Sequence, residues 1–128
     1  MRVLLDTNAF LWFIMGSKKL SKKARHIIED TENEKFISVA SLWEMAIKYS
    51  LGKLKFSKPF ELIIPQQIKV NGVDLLQIDL SHITYLSILP FHHRDPFDRL
   101  IISQSAVEKM PVVGSDTSFD NYQIQRLW

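Results

Sequence analysis

A chain of 128 residues, 46% hydrophobic and 23% charged, has the size and composition of one folded domain with a sizeable core, which excludes a disordered tail or linker. Its formal charge of +2 is too small to announce a polyanionic partner, and the lack of cysteine excludes a disulfide framework, a thiolate zinc site and a thiol nucleophile. Asp6 interrupts the first apolar run too early for a signal peptide and AFLWFIM at 9–15 is far too short to cross a bilayer, so a soluble, cytoplasmic single domain over residues 1–128 is expected.

In chain order, VLL at 3–5 is a continuous apolar run of the kind that forms a strand buried on both faces. Asp6 is placed to cap a helix through AFLWF, and Ser21 to cap one that carries Ala24, Ile27 and Ile28 on one face. FISV at 36–39 reads as the second strand; Ser41 then opens a helix that runs to about Leu51 and stops at Gly52. Phe60 to about Val70 reads as a helix that Pro65 kinks or ends. LLQI at 75–78 is the third strand, Ser81 caps a short helix ending before Pro90, and Pro96 starts a helix reaching roughly Lys109. VV at 112–113 and a short segment around Ile124 to Leu127 are the last strands. Strands alternating with helices, with no repeat or linker, predict an α/β fold around a mainly parallel sheet.

Open parallel sheets bind ligands beyond the carboxyl ends of their strands. Asp6 directly follows VLL, Asp116 follows PVVGS, Glu44 falls in the first turn after the FISV strand, and Asp98 falls in the first turn of the helix opened by Pro96. Each acid also has a local explanation. Asp6 and Asp116 can cap the segments that follow them, and Ser41-Leu-Trp-Glu44 matches a capping box, with Lys48 placed for an i,i+4 ion pair to Glu44. Asp95 fits the cap before Pro96, and Asp98 suits the positive end of that helix. Together these local roles explain less, because Asp98 shares a face with Ile101 and Ile102, and Glu44 with Ala40, Ile47 and Leu51. Half-buried carboxylates that cluster repel one another unless a cation neutralises them, and Mg²⁺ or Mn²⁺ suits an all-oxygen donor set.

Around these acids, Thr7 and Asn8 are candidates to hydrogen-bond a phosphate or a metal-bound water, or to serve in a turn and cap. Arg94 and Arg99 are candidates to grip phosphates, although Arg99 also fits an i,i+4 pair with Asp95. His92 and His93 lack a suitably spaced third ligand for zinc, and no GxSxG marks a serine hydrolase. Lys18, Lys19, Lys22, Lys23 and Arg25 form one basic cluster and Lys48, Lys53, Lys55 and Lys58 another; either tracks a phosphate backbone or coats solvated helices. Trp12, Phe13, Trp43 and Trp128 belong to the core or line a partner groove.

Four stretches, LLDTNAFLW at 4–12, SVASLWEMAIKYSLGKL at 38–54, LPFHHRDPFDRLIISQSA at 89–106 and VVGSDTSFDNY at 112–122, resemble the PIN-domain ribonucleases, specifically the VapC-like toxins of type II toxin–antitoxin pairs. The resemblance spans almost the whole chain in the expected order. It implies a PIN-like three-layer sandwich with an acidic pocket on one rim, in which Asp6, Glu44, Asp98 and Asp116 are the catalytic, metal-binding acids and Asp95 is a cap. It further implies Mg²⁺ or Mn²⁺ as cofactor, single-stranded or loop RNA as substrate with a 5′-phosphate product, a cognate antitoxin as partner, and a homodimer. One departure stands out: many relatives carry Thr where this chain has Gly114, which removes a hydroxyl that orients the neighbouring carboxylate, with Ser115 as the candidate substitute. Two other readings stay open, a non-catalytic PIN-like module that binds RNA or a partner, and a metal-dependent phosphoesterase acting on DNA or a small phosphate ester.

Overall fold

The computed structural model describes every residue, Met1–Trp128. In chain order its elements are β1 (Arg2–Leu5), α1 (Thr7–Ile14), α2 (Lys22–Glu29), β2 (Glu34–Ser38), α3 (Val39–Ser50), α4 (Phe60–Val70), β3 (Val73–Leu76), α5 (Leu80–Ser87), α6 (Pro96–Glu108), β4 (Val112–Val113), a 3₁₀ turn (Thr117–Asn121) and β5 (Arg126–Leu127). The strands form one all-parallel sheet in the order β3-β2-β1-β4-β5. No helix is long and apolar enough to cross a membrane.

Alternation along β1 divides the core in two. Val3 and Leu5 pack with Phe10, Ala24, Ile28 and Met45 on one face of the sheet, while Leu4 packs with Ile101, Ile102, Met110 and Phe119 on the other. A strand with helices over both faces has no solvated side, which is why VLL is apolar at every position. Each of these fully buried leucines contributes roughly 1.5–3 kcal/mol.

The topology positions the site. The chain begins in the middle of the sheet, builds outward through β2 and β3, then crosses to the other side of β1 to lay down β4 and β5. The order therefore reverses between β1 and β4, the crevice where open α/β sheets bind ligands. Leu5 is in register with both Ile37 of β2 and Val113 of β4, so Asp6, one residue on, emerges between the two neighbouring strand ends.

Several element boundaries and caps differ from those expected of the sequence. Ser38, not Ser41, caps α3: its hydroxyl accepts from the Ala40 N–H at 3.0 Å, and Val39 is already helical rather than the end of a strand. The Ser41–Glu44 capping box does not form, because Ser41 is buried inside the helix and Glu44 lies in its second turn. Pro65 does not end helix α4, which continues to Val70; the bond to the Glu61 carbonyl is lost, and both residues are exposed to water. Strand β3 spans Val73–Leu76 rather than 75–78, because its ladder with β2 begins at Lys35↔Val73 and ends at Ser38↔Leu76. Asp79, not Ser81, precedes α5, where its N–H donates to His82 Nδ1 at 3.0 Å.

Candidate active site

Asp6 is the innermost acid. Its N–H donates to the Val113 carbonyl at 3.0 Å, which anchors it to β4, and its Oδ1 caps α1 by accepting from the Ala9 N–H at 2.7 Å. The residue is 7% exposed. Its second oxygen lies against Gly114, where any Cβ would collide with it and come within 2.9 Å of Cγ.

Glu44 reaches the rim from α3. The buried Thr7 hydroxyl donates to Glu44 Oε1 at 2.7 Å and lies 2.9 Å from Ser41 Oγ, while Lys48 Nζ is 3.1 Å from Oε2, the i,i+4 pair expected from the sequence. Asp98 comes from the first turn of α6, with its own N–H donating to Asp95 Oδ1 at 2.9 Å. Asp95 is thus the N-cap, and Asp98 turns its carboxylate to the rim. Asp116 caps the 3₁₀ turn, accepting at Oδ1 from the Ser118 hydroxyl at 2.7 Å and the Ser118 N–H at 2.9 Å. Ser118, rather than Ser115, supplies the hydroxyl that orients the Asp116 carboxylate.

The four carboxylates come from four separate segments and lie near enough to repel one another, with Asp98 and Asp116 brought together on His93 Nε2. Burial, followed by repulsion from Asp98, Asp116 and Glu44, pushes Asp6 up to about 7 against the opposing pull of the Ala9 N–H. Burial, then Asp95, with Glu44 and Asp116 adding to it, pushes Asp98 up to about 6, while His93 draws it down. Burial also works to raise Asp116, but the Ser118 hydroxyl and N–H, with His93, hold its carboxyl below the usual range. Carboxylates crowded until one is held near neutrality, with all-oxygen donors and a solvent-facing side at Asp116, fit a hard divalent cation.

His93 is a site residue that the sequence reading missed. Its Nε2 lies 3.1 Å from Asp98 Oδ2 and 3.0 Å from Asp116 Oδ2, and its Nδ1 accepts from the Asp95 N–H at 3.1 Å. Since Nδ1 is an acceptor, the neutral ring carries its proton on Nε2 and aims it between the two acids. Tyr122 holds the same loop: its hydroxyl accepts from the N–H groups of His92 and His93 at 3.0 and 2.9 Å and donates to the Pro90 carbonyl at 2.8 Å. Nothing in HHRDP distinguishes the inward His93 from the exposed His92; only the loop path does.

The remaining candidates divide. Asn8 is exposed at the rim, and Arg94 is exposed in the loop without an ion pair. Arg99 is displaced from its expected roles. It is 6% exposed, stacks over Phe91 at 4.0 Å, and donates to the carbonyls of Pro90 at 2.8 Å, Leu89 at 3.0 Å and His93 at 3.3 Å. It neither pairs with Asp95 nor faces an incoming phosphate; it braces the loop that carries His93. A cavity of about 500 Å³ lies beside Met1, Glu29 and Asn33 at the opposite, amino ends of the strands and contains none of the four acids.

A three-layer α/β fold that gathers four acids at its switch point defines a class of protein with a cation-fitting strand-end rim. The PIN domain family profile matches residues 3–125, and the chain belongs to that family. Ribonuclease VapC16 of Mycobacterium tuberculosis (strain ATCC 25618 / H37Rv) is 34% identical over 80 residues, 56% of this chain and 57% of that relative, so the match spans little more than half the relative's length. Among solved structures, VapBC2 from Rickettsia felis, bound to a DNA fragment from its promoter, superposes with a TM-score of 0.71 at 17% identity, covering 99% of this chain and 98% of that one. DNA-bound VapBC from Salmonella typhimurium superposes with a TM-score of 0.67 at 17% identity, covering 99% and 97%. At that identity the likeness is one of fold.

Proposed function

We propose that this chain is a metal-dependent endoribonuclease, the toxin of a toxin–antitoxin pair, hydrolysing RNA phosphodiester bonds at the acidic rim with Mg²⁺ or Mn²⁺. The observation that carries the reading is the convergence of Asp6, Glu44, Asp98 and Asp116 on one strand-end crevice, with Asp6 pushed up to about 7 by burial and by its three neighbours. The membership in the PIN domain family and the relative named a ribonuclease support it.

In this reading Asp6 and Asp98 are the main clamp on the cation, and Asp116 completes the set. Glu44, steadied at Oε1 by Thr7, binds a second ion or orients the attacking water. A bound divalent ion lowers the pKa of a water and stabilises charge on the departing oxygen. Asn8, two residues beyond Asp6, and Arg94, in the loop before α6, are both exposed and are the phosphate contacts. The antitoxin, or a second copy of the chain, covers apolar surface on α3 and its C-cap, where Trp43, Ile47 and Leu51 recur every fourth residue and stay 58%, 38% and 63% exposed. Trp12, Phe13 and Trp128 instead pack against the core. A cytoplasmic location belongs to the same reading.

The test is a cleavage assay on RNA, DNA and a small phosphate diester, with Mg²⁺, Mn²⁺ or EDTA, comparing the native chain with Asp98→Asn. Metal-dependent RNA cleavage lost in the variant is the expected result. Cleavage of DNA or the small ester but not RNA would move the chain to another phosphoesterase class, and RNA binding without cleavage would make it a binding module.

A further inference from the structure

The acidic rim continues into a second concavity whose walls are basic. Lys48, whose ammonium touches Glu44 Oε2 at 3.1 Å, lines both, and Asn8, two residues beyond Asp6, stands at the junction. Beyond them the groove is walled by Lys19, Lys53, Trp12 and Met15, and no acid lines it. The two lysine clusters of the sequence, far apart along the chain, each send side chains into this one place. Lys22 and Lys23, from the same run as Lys19, lie exposed on α2 outside it.

Two features fit a nucleotide rather than a generic anion. The Trp12 ring meets Trp128 edge-on at 5.8 Å, and Lys19 Nζ sits over it, 5.9 Å from its centroid, so an aromatic ring and an ammonium are brought together in the groove. Base stacking on a ring with the phosphate on a neighbouring cation is how proteins hold single strands without reading sequence. The groove, about 380 Å³, lies near the lower end of the roughly 300–1,000 Å³ typical of small-ligand pockets, so it suits one nucleotide and not a helix.

We propose that the groove bounded by Asn8, Lys19, Lys48, Lys53 and Trp12 is a subsite for one nucleotide of single-stranded RNA next to the bond held at the acidic rim. The proposal rests on the nuclease reading and assigns which lysines carry the strand. Lys19 and Lys53 are the diagnostic pair, since both are exposed and neither touches an acid of the rim.

The experiment titrates a ten-nucleotide single-stranded RNA onto the Asp98→Asn chain over a range of salt concentrations, so that binding is read without cleavage. Lys19→Ala with Lys53→Ala should weaken binding at least about tenfold and flatten the plot of log affinity against log salt by about 1.4, at ~0.7 for each phosphate of a single strand that is no longer neutralised. Lys22→Ala with Lys23→Ala removes the same charge outside the groove and should change affinity less than about threefold by that argument. In the otherwise native chain, the Lys19/Lys53 pair should raise KM for RNA and leave kcat unchanged, with unaltered melting as the folding control. Equal losses from the two pairs, or equally tight, groove-dependent binding of a ten-residue polyglutamate, would overturn the subsite by reducing it to diffuse charge. RNA cleavage that persists with unchanged KM in the Lys19/Lys53 pair sinks the subsite and leaves the nuclease reading standing. Groove-dependent RNA binding by a chain that cuts no RNA does the reverse.

Discussion

Gly114 and Asp6 occupy one packing position: the second carboxylate oxygen of Asp6 fills the space that a Cβ on residue 114 would take. The register makes this unavoidable, since Leu5 pairs with Val113 and the next residue of each strand turns out at the same level of the rim. Gly114 therefore seats the most deeply buried of the four acids.

Gly114→Ala should force the Asp6 carboxylate to rotate and strain its 2.7 Å bond to the Ala9 N–H. Overpacking of this kind costs about 1–3 kcal/mol. Urea unfolding and a Mn²⁺ binding isotherm on the same variant should both show a loss. Unchanged metal affinity would mean that Asp6 does not contribute to holding the ion.

Asp98→Asn should separate function from stability. Cleavage should fall by more than the roughly 10–100-fold that outer contacts of a metal site are worth. The metal-free variant should nevertheless melt higher at pH 8, because one of the repelling charges around Asp6 is gone. A variant that is both active and no more stable would contradict the crowded-carboxylate picture.

Aspartate ionises near pH 3.9 in an unfolded chain. Folding holds Asp6 at about 7 and Asp98 at about 6, so between those values the folded state binds the extra protons. Their contribution to stability is full below about pH 4 and is lost as pH rises through 6 and 7. Asp116 and Asp120, held low, act the other way, but their contribution is lost only as pH falls through still lower values. The metal-free chain should therefore melt several degrees lower at pH 8 than at pH 5. Mn²⁺ should restore more at pH 8 than at pH 5, and Asp6→Asn, which keeps the helix cap, should flatten the profile. Calorimetry with and without EDTA reads all three.

His93 aims an N–H, not a lone pair, at Asp98 and Asp116. A cation shared by those acids competes with it, so His93→Ala should tighten Mn²⁺ binding measured by titration calorimetry, by a factor set by the hydrogen bonds it forgoes, about tenfold per 1.4 kcal/mol. Weaker binding would identify His93 as a ligand and require the opposite tautomer.

Arg99→Lys keeps the charge but loses the planar fork that serves three carbonyls. Stability should drop by about 1.5–3 kcal/mol while the salt dependence of RNA binding stays as in the native chain. Arg94→Ala should do the converse, sparing stability and flattening the salt dependence by about 0.7. Matching salt slopes in the two variants would return Arg99 to the substrate surface.

Much of the layout is legible before any coordinates. The apolar runs at VLL and VV mark strands buried on both faces, and Asp6 and Asp116 read as strand-end acids because each follows such a run closely. Asp95 before Pro96 announces its cap. The sequence places the start of α3 three residues too late, yet Glu44 still reaches the rim, since the face a helical side chain occupies depends on spacing along the helix and not on where the helix begins. Arg99 is not readable in this way, because its partners are carbonyls of a loop whose path no pattern encodes.

The residues by themselves determined the alternation of strands and helices, the acids at their ends and the membership in a family, since periodicity and capping act over a few positions. Only the tertiary structure decided that His93 and not His92 turns inward, that Gly114 makes room for Asp6, and that Lys19 and Lys53 share a groove. Those relations join positions tens of residues apart, and they are set by the order and register of the strands and by how loops pack over them, which no local preference specifies.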